Sequence, residues 1–486
     1  MSNTNEKQIR FWPIMAAIFI GSFLCVLASA TINLALEILT DHFDTTLSSV
    51  QWTLTGFMLA MGTTAPVVGY LGERFSYRRL YLFSLVGFTV ASGLCAAAWN
   101  EQSLIFFRVL QGAFSGLIIP ATMSIIYQII PRDKQAMAIA LWGLSAMLAP
   151  AFGPTISGWI LQNFDWQWLF LMNIPIGIIA IVCVYAYIPY YRLNIPKSFD
   201  GFGFITVVLS STSLLLALGQ GHTWGWDSMK VRLLLIGGAF MLVLFIWREL
   251  TAKTPLLNLR VFKNVRFTLN TIIANIITIS LYSGTLLTPI FLQRIQHVSA
   301  MDTGLILLPA SLVMALAMPF VGKLYSIVGP RWLMSVGILL LTLGTLTLSW
   351  LSLDVPHSYI VWWMIVRNLG IALVVMPSSN ASMEQIPPEL SGHASAISNW
   401  TRNVFGSFAI AIFTTLLASR SIDHAASLMK AGDTNELHIG MMSFTMSVND
   451  VYLIATFVAV AALPLSLLIG KIKQPVVAAK EERISA

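Results

Sequence analysis

Apolar residues fill most of this chain in blocks of about twenty, and nowhere does a polar stretch run long enough to wrap a core of its own. A bilayer core about 30 Å thick takes about 20 apolar residues per crossing helix. Windows of that length pick out fourteen candidate spans, near residues 12–36, 51–71, 80–98, 104–128, 138–160, 168–188, 202–219, 231–247, 267–292, 303–322, 332–350, 359–380, 394–418 and 450–470. The pattern predicts an all-α integral membrane protein with 14 transmembrane helices.

Composition agrees, since 57% of the 486 residues are apolar and 10% are charged, against about 25% charged in soluble domains. Soluble catalytic domains, disordered tails and disulfide-built modules are excluded. Cys25, Cys95 and Cys183 lie inside apolar runs and read as packing residues. The net charge of +7 comes with no basic, aromatic-interleaved patch, so nucleic acid is not an expected partner. Its distribution is informative: with the N-terminus inside, twenty Lys and Arg fall in cytoplasmic segments, five in outer loops and three within spans. That bias predicts cytoplasmic N- and C-termini. Lys7, Arg10 and Ala28-Ser29-Ala30 imitate a signal peptide, but the apolar run continues to Leu36 and reads as a retained span.

The chain repeats itself at an offset of 253 residues. Pro66, Gly69, Leu71, Arg78 and Leu80 match Pro319, Gly322, Leu324, Arg331 and Leu333, and a second echo, with two fewer residues between its members, pairs Arg108 and Pro120 with Arg367 and Pro377. Two six-helix bundles, 12–189 and 266–471, are expected to flank a peripheral helix pair at 200–248. Many secondary transporters build their rocking halves from such repeats.

These residues carry a resemblance. The stretch 50–80, VQWTLTGFMLAMGTTAPVVGYLGERFSYRRL, and LIFFRVLQG at 104–112 resemble the major facilitator superfamily, in particular its fourteen-spanner drug:proton antiporter-2 group. ALWGLSAMLAPAFGPTISGWI at 140–160 is similar to that group's antiporter motif. DWQWLFLMNIPIG at 165–177, PLLNLRVF at 255–262 and SNWTRNVFGS at 398–407 extend the likeness along nearly the whole chain. It implies a major facilitator fold in a bacterial plasma membrane and multidrug efflux by alternating access, coupled to proton entry.

Several positions acquire roles from that likeness beside their plain chemistry. Gly69 and Gly72 permit close backbone approach, and Glu73, Arg74 and Arg78 put charge at helix ends. Together they form a candidate conformational latch, or else a turn with positive-inside charge. Glu73 replaces the family's usual Asp, Ser76 its Gly and Tyr77 a basic residue. Pro150, Gly153, Pro154 and Gly158 kink and flatten the fifth span, as a seal between halves or an ordinary helix contact. Arg108 is the implied proton-coupling residue unless it snorkels outward. Arg367 and Arg402 lie deeper in their spans and read as anchors between helices.

The expected acid is missing. Ala28 stands where related antiporters carry Asp, Glu37 takes the following Pro position, and all 21 acids lie in loops or near helix ends. Glu37 is the candidate partner of Arg108, with Asp302, Glu384 and His393 as alternatives, and drive by membrane potential or substrate charge stays open.

Candidate cavity residues are Asn33, Phe57, Met58, Met61, Trp142, Met147, Asn275, Tyr282, Asn399 and Trp400, since aromatic and Met surfaces repack around varied amphipathic shapes. No cofactor, metal site or enzymatic nucleophile is expected. The expected partners are a small-molecule substrate, protons, membrane lipid and, in a Gram-negative cell, a periplasmic adaptor. Export of a lipid, metabolite or siderophore on the same scaffold is the alternative.

Overall fold

Without water in a bilayer core, each apolar block must close its backbone hydrogen bonds within itself, and the helix is the form that does so. The computed structural model describes residues 10–192, 199–252, 255–431 and 434–469, and these contain helices and no strand. Side chains of Asn33, Glu37, Met147, Pro150 and Pro154 lie outside the described residues.

The long helices are α1 (Phe11–Thr31), α2 (Trp52–Phe75), α3 (Tyr77–Ala96), α4 (Glu101–Ile129), α5 (Arg132–Asn163), α6 (Trp168–Tyr187) and α7 (Gly201–Trp224). They continue as α8 (Met229–Thr251), α9 (Val265–Arg294), α10 (Ala300–Val328), α11 (Pro330–Trp350), α12 (His357–Met383), α13 (Ser391–Lys430) and α14 (Glu436–Leu467). Thirteen helices among the described residues are long and apolar enough to cross a membrane, and α5 runs for 32 residues beside them. Polar caps set several starts: Asn100 and Ser103 form a capping box on α4, while Asn264, Ser299 and Asn435 accept from the first turns of α9, α10 and α14.

The helices depart from the apolar windows in three places. The first span does not run unbroken to residue 36, because a 3-10 turn at Ile32–Ala35 divides α1 from a short helix, Leu36–His42. At the other end, α13 spans 40 residues and α14 begins fourteen residues before the apolar window does. A 40-residue helix is about 60 Å long at 1.5 Å per residue, twice the hydrocarbon core. The α13–α14 hairpin therefore projects beyond lipid, held by Asp450 on α14, which lies 2.9 Å from His424 and 3.8 Å from Arg420 on α13. Third, the inserted pair is not simply peripheral. Helix α8 exposes Leu233, Ile236, Phe240, Val243 and Trp247, but α7 is wedged between α2 and α13. Its Thr212 bonds Thr63, and its Ser211 accepts from the indole of Trp400.

Close helix contacts are made by glycine. At Gly112 and Gly116 on α4 an added Cβ would fall on the carbonyls of Phe57 and Met61 of α2. Gly370 on α12 meets the backbone of α11 in the same way.

The 253-residue repeat reaches the backbone itself. Between α2 and α3, Ser76 has φ 82°, and 253 residues later Gly329, between α10 and α11, has φ 83°. Glycine adopts this region freely and serine does not. The Ser76 hydroxyl is also buried without a partner among the described residues. We expect Ser76→Gly to stabilise the protein by about 1 kcal/mol and Gly329→Ser to destabilise it by a similar amount. Thermal unfolding of the detergent-purified protein will measure both signs.

Candidate functional site between the repeats

Three arginines, Arg108, Arg367 and Arg402, lie within the apolar spans, and the structure seats the first two alike and the third differently. Arg108, on α4, is 0% exposed and does not snorkel. Its Nε donates to the Thr53 carbonyl (3.1 Å) and its Nη1 to the Ala28 carbonyl (3.4 Å) and Gln111 Oε1 (2.7 Å). The guanidinium carbon lies 4.2 Å from the Phe57 ring centroid. Gln111, which the sequence reading did not single out, passes the chain on to Ser92 of α3. One arginine thus ties α4 to α1 and α2, and through Gln111 to α3.

Arg367 repeats the device in the second half. Its Nη2 donates to the carbonyls of Ser280 and Leu281 on α9, and its Nη1 reaches Asn368 Oδ1. Ala28 and Leu281 are themselves 253 residues apart. Both repeats therefore seat a buried guanidinium on equivalent carbonyls of their first helix. Arg402 on α13 differs, making no hydrogen bond or ion pair with a described residue.

At the end bearing the 72–79 turn, polar contacts join the repeats. Glu73 Oε1 lies 3.1 Å from His393 Nε2, with both side chains more than nine-tenths buried. His393 also packs on Gly69, and Tyr77 fills the space beside Gly72 and Gly392. The Tyr127 hydroxyl donates to the Ser379 carbonyl (3.0 Å), Gln128 to the Pro388 carbonyl and Ser391, and Ser395 to the Pro120 carbonyl (3.2 Å). Arg74 is exposed, and Arg78 turns away to the Tyr185 carbonyl and ring. Of the sequence-derived latch set, Gly69, Gly72 and Glu73 meet the opposite repeat or the Tyr77 ring beside it, and the partner of Glu73 is His393 rather than a neighbouring arginine. Nearby, beyond the end of α12, burial raises the Glu384 carboxyl above its ordinary range, opposed by Arg266 and Arg132.

Above these contacts lies a polar cavity of about 20 Å³, walled by α9, α12 and α13 and lidded by Met123 of α4. Asn275 and Asn399 line it together with Arg402. The other proposed cavity residues are dispersed. Phe57 lies under Arg108, Trp142 donates to Thr122, Trp400 bonds α7, Tyr282 packs on Gly406, Met61 takes the Ser115 hydroxyl, and Met58 is exposed. In the fifth-span motif, Gly153 leaves 2.8 Å between a would-be Cβ and Ala30, whereas Gly158 has nothing within 4 Å.

Membrane-length helices, a repeated architecture and a polar cavity closed at one end define a membrane transporter rather than an enzyme. The chain belongs to the major facilitator superfamily, whose family model matches residues 18–411. It is 30% identical to a lincomycin resistance protein, LmrB, of Listeria innocua over 97% of this chain and 99% of that one. It is likewise 30% identical to the colistin resistance protein EmrB of Acinetobacter baumannii, over 86% of this chain and 83% of the relative. Among solved structures it superimposes with a TM-score of 0.62 on the human organic anion transporter MFSD10, at 11% identity, covering 93% of this chain and 100% of that one. The protein is a multi-pass transporter of the bacterial inner membrane.

Because the described partners of Arg367 are neutral, its removal strands no carboxylate among them. We expect Arg367→Met to cost about 1–3 kcal/mol, the scale of lost hydrogen bonds, rather than the 3–5 kcal/mol of a broken buried ion pair. Chemical denaturation in detergent distinguishes the two.

Proposed function

We propose that this protein exports lipophilic and amphipathic drugs from the bacterial cell by alternating access, with proton entry as the driving force. The observation that carries this reading is the gathering of the inter-repeat bonds, from Glu73–His393 to Ser395–Pro120, at one end of the helices beneath a shared polar cavity. With that end cytoplasmic, as the distribution of Lys and Arg favours, the form described is closed to the cytoplasm. The names of the lincomycin and colistin resistance relatives support export of antibiotics. On this reading spans 1–6 and 9–14 of a fourteen-span chain rock as two halves. Glu73 and His393 latch the cytoplasmic side, and Arg108 with Glu37 remains the proposed coupling pair.

The latch is tested by labelling. In a variant lacking the native cysteines and carrying Ser391→Cys, adding His393→Ala is expected to raise labelling by a membrane-impermeant thiol reagent from the cytoplasmic side several-fold. Unchanged labelling would remove the latch.

Export itself is tested in liposomes by imposing a pH gradient and a voltage separately and following a fluorescent amphiphile. We expect accumulation under the pH gradient. Accumulation with no accompanying proton movement, read by a pH-sensitive dye in the lumen, would overturn proton coupling, and no accumulation under either gradient, across a range of dyes, would overturn drug export.

A further inference from the structure

We infer that the cavity around Arg402 receives an acidic or strongly hydrogen-bond-accepting group of the exported compound, so that anionic and acceptor-rich amphiphiles are preferred to cationic ones. This rests on the export reading and names the substrate class for it.

The first ground is the contrast among the three arginines. Arg108 and Arg367 spend their guanidinium groups on carbonyls, while Arg402 lines the cavity and makes no hydrogen bond or ion pair with any described residue. The ionisable side chains that act on it are the phenols of Tyr282 and Tyr127, which carry no charge near neutral pH. No carboxylate lines the cavity among the described residues. Arg402 is partly buried, and a cation so placed with no anion beside it is costly unless water or a ligand supplies its partner.

The second ground is the cavity wall. Asn270 Oδ1, Thr271 Oγ1 and Ser398 Oγ are buried there with no hydrogen-bond partner among the described residues. Two of these three are hydroxyls able to donate, and buried polar atoms are seldom left unpaired unless a ligand or water completes them. A guanidinium beside free hydroxyls is the donor set that a carboxylate, enolate or phosphate oxygen requires.

The third ground is placement. In the closed form the space of about 20 Å³ admits one water and no drug. Its lid belongs to the other repeat, through Met123 and the Ser395–Pro120 bond. Separation of the repeats at that end would expose Arg402 to the side from which an exported compound arrives.

The test compares two xanthene dyes of similar size, anionic fluorescein and cationic rhodamine 6G, binding to the purified full chain at pH 7.4 by fluorescence anisotropy. Wild type is expected to bind fluorescein about tenfold tighter. Arg402→Gln should weaken fluorescein about tenfold, the loss of one charge-assisted contact, and move rhodamine 6G less than twofold. Arg402→Lys should recover part of the loss. Asn275→Asp, which leaves Arg402 in place but gives the cavity its own carboxylate, should suppress fluorescein and improve rhodamine 6G. Equal losses for both dyes in Arg402→Gln, with an unchanged melting temperature, would make Arg402 a structural residue and overturn the inference, as would tighter rhodamine 6G binding to wild type. In liposomes, movement of rhodamine 6G but not fluorescein overturns the inference and leaves export standing. Selective fluorescein binding with no movement of either dye supports the site and counts against export.

Discussion

A guanidinium inside a membrane protein has to be satisfied by whatever the fold can offer, and here the offer is backbone carbonyl oxygen. Helical carbonyls keep a second lone pair after accepting their own helix bond. Arg108 uses that capacity at Ala28 and Thr53, and Arg367 uses it at Ser280 and Leu281. The carbonyl bonds themselves need no particular side chain on the first helix, although Arg367 adds one to the Ser283 hydroxyl (3.4 Å). Two consequences follow. The fourth helix of each repeat is pinned to the first, and the charge stays permanently dry. Glycine completes the arrangement, because Gly112 and Gly116 allow α4 to lie directly on α2.

The same accounting separates what is rigid from what can part. Within a repeat, contacts are apolar, seated on backbone, or buried side-chain pairs such as Gln111–Ser92, Trp142–Thr122 and Thr288–Tyr452, and breaking them would expose unsatisfied groups to lipid. Between repeats the named bonds are few, lie at one end, and are made by polar side chains that water could serve equally well: Gln128, Ser391, Ser395, Tyr127, Glu73 and His393. Helix α7 complicates a simple rocking picture, since it leans on α2 through Thr212 and on α13 through Ser211. Movement of the repeats must slide along α7 or carry it with one of them. Single hydroxyl bonds are suited to such exchange.

What could be read from the chain beforehand was local or periodic. Apolar blocks located the helices because hydropathy needs no partner, and the 253-residue offset foretold a correspondence that extends to the left-handed backbone of Ser76 and Gly329. The excess length of α13 escaped notice because a search for apolar windows stops where lipid stops, although Ser421–Lys430 contains no Gly or Pro to end a helix. Long-range pairing was the larger blind spot. His393 lies 320 residues from Glu73 in sequence, beyond the reach of local reasoning, which grouped Glu73 only with its neighbours Arg74 and Arg78. Aromatic residues misled in a similar way: Phe57 and Trp400 looked like cavity lining, yet one faces an arginine and the other anchors an inserted helix. Side-chain chemistry alone does not say which of several polar or apolar partners a helix will meet.

The proposed proton coupling places a further demand on this architecture. The position where related antiporters are expected to carry an acid is Ala28, and Arg108 bonds its carbonyl instead. A carbonyl takes up no proton, so that contact holds the same charge at every accessible pH. Any proton that is carried must therefore ride on another group, and the proposed coupling pair places that duty on Glu37.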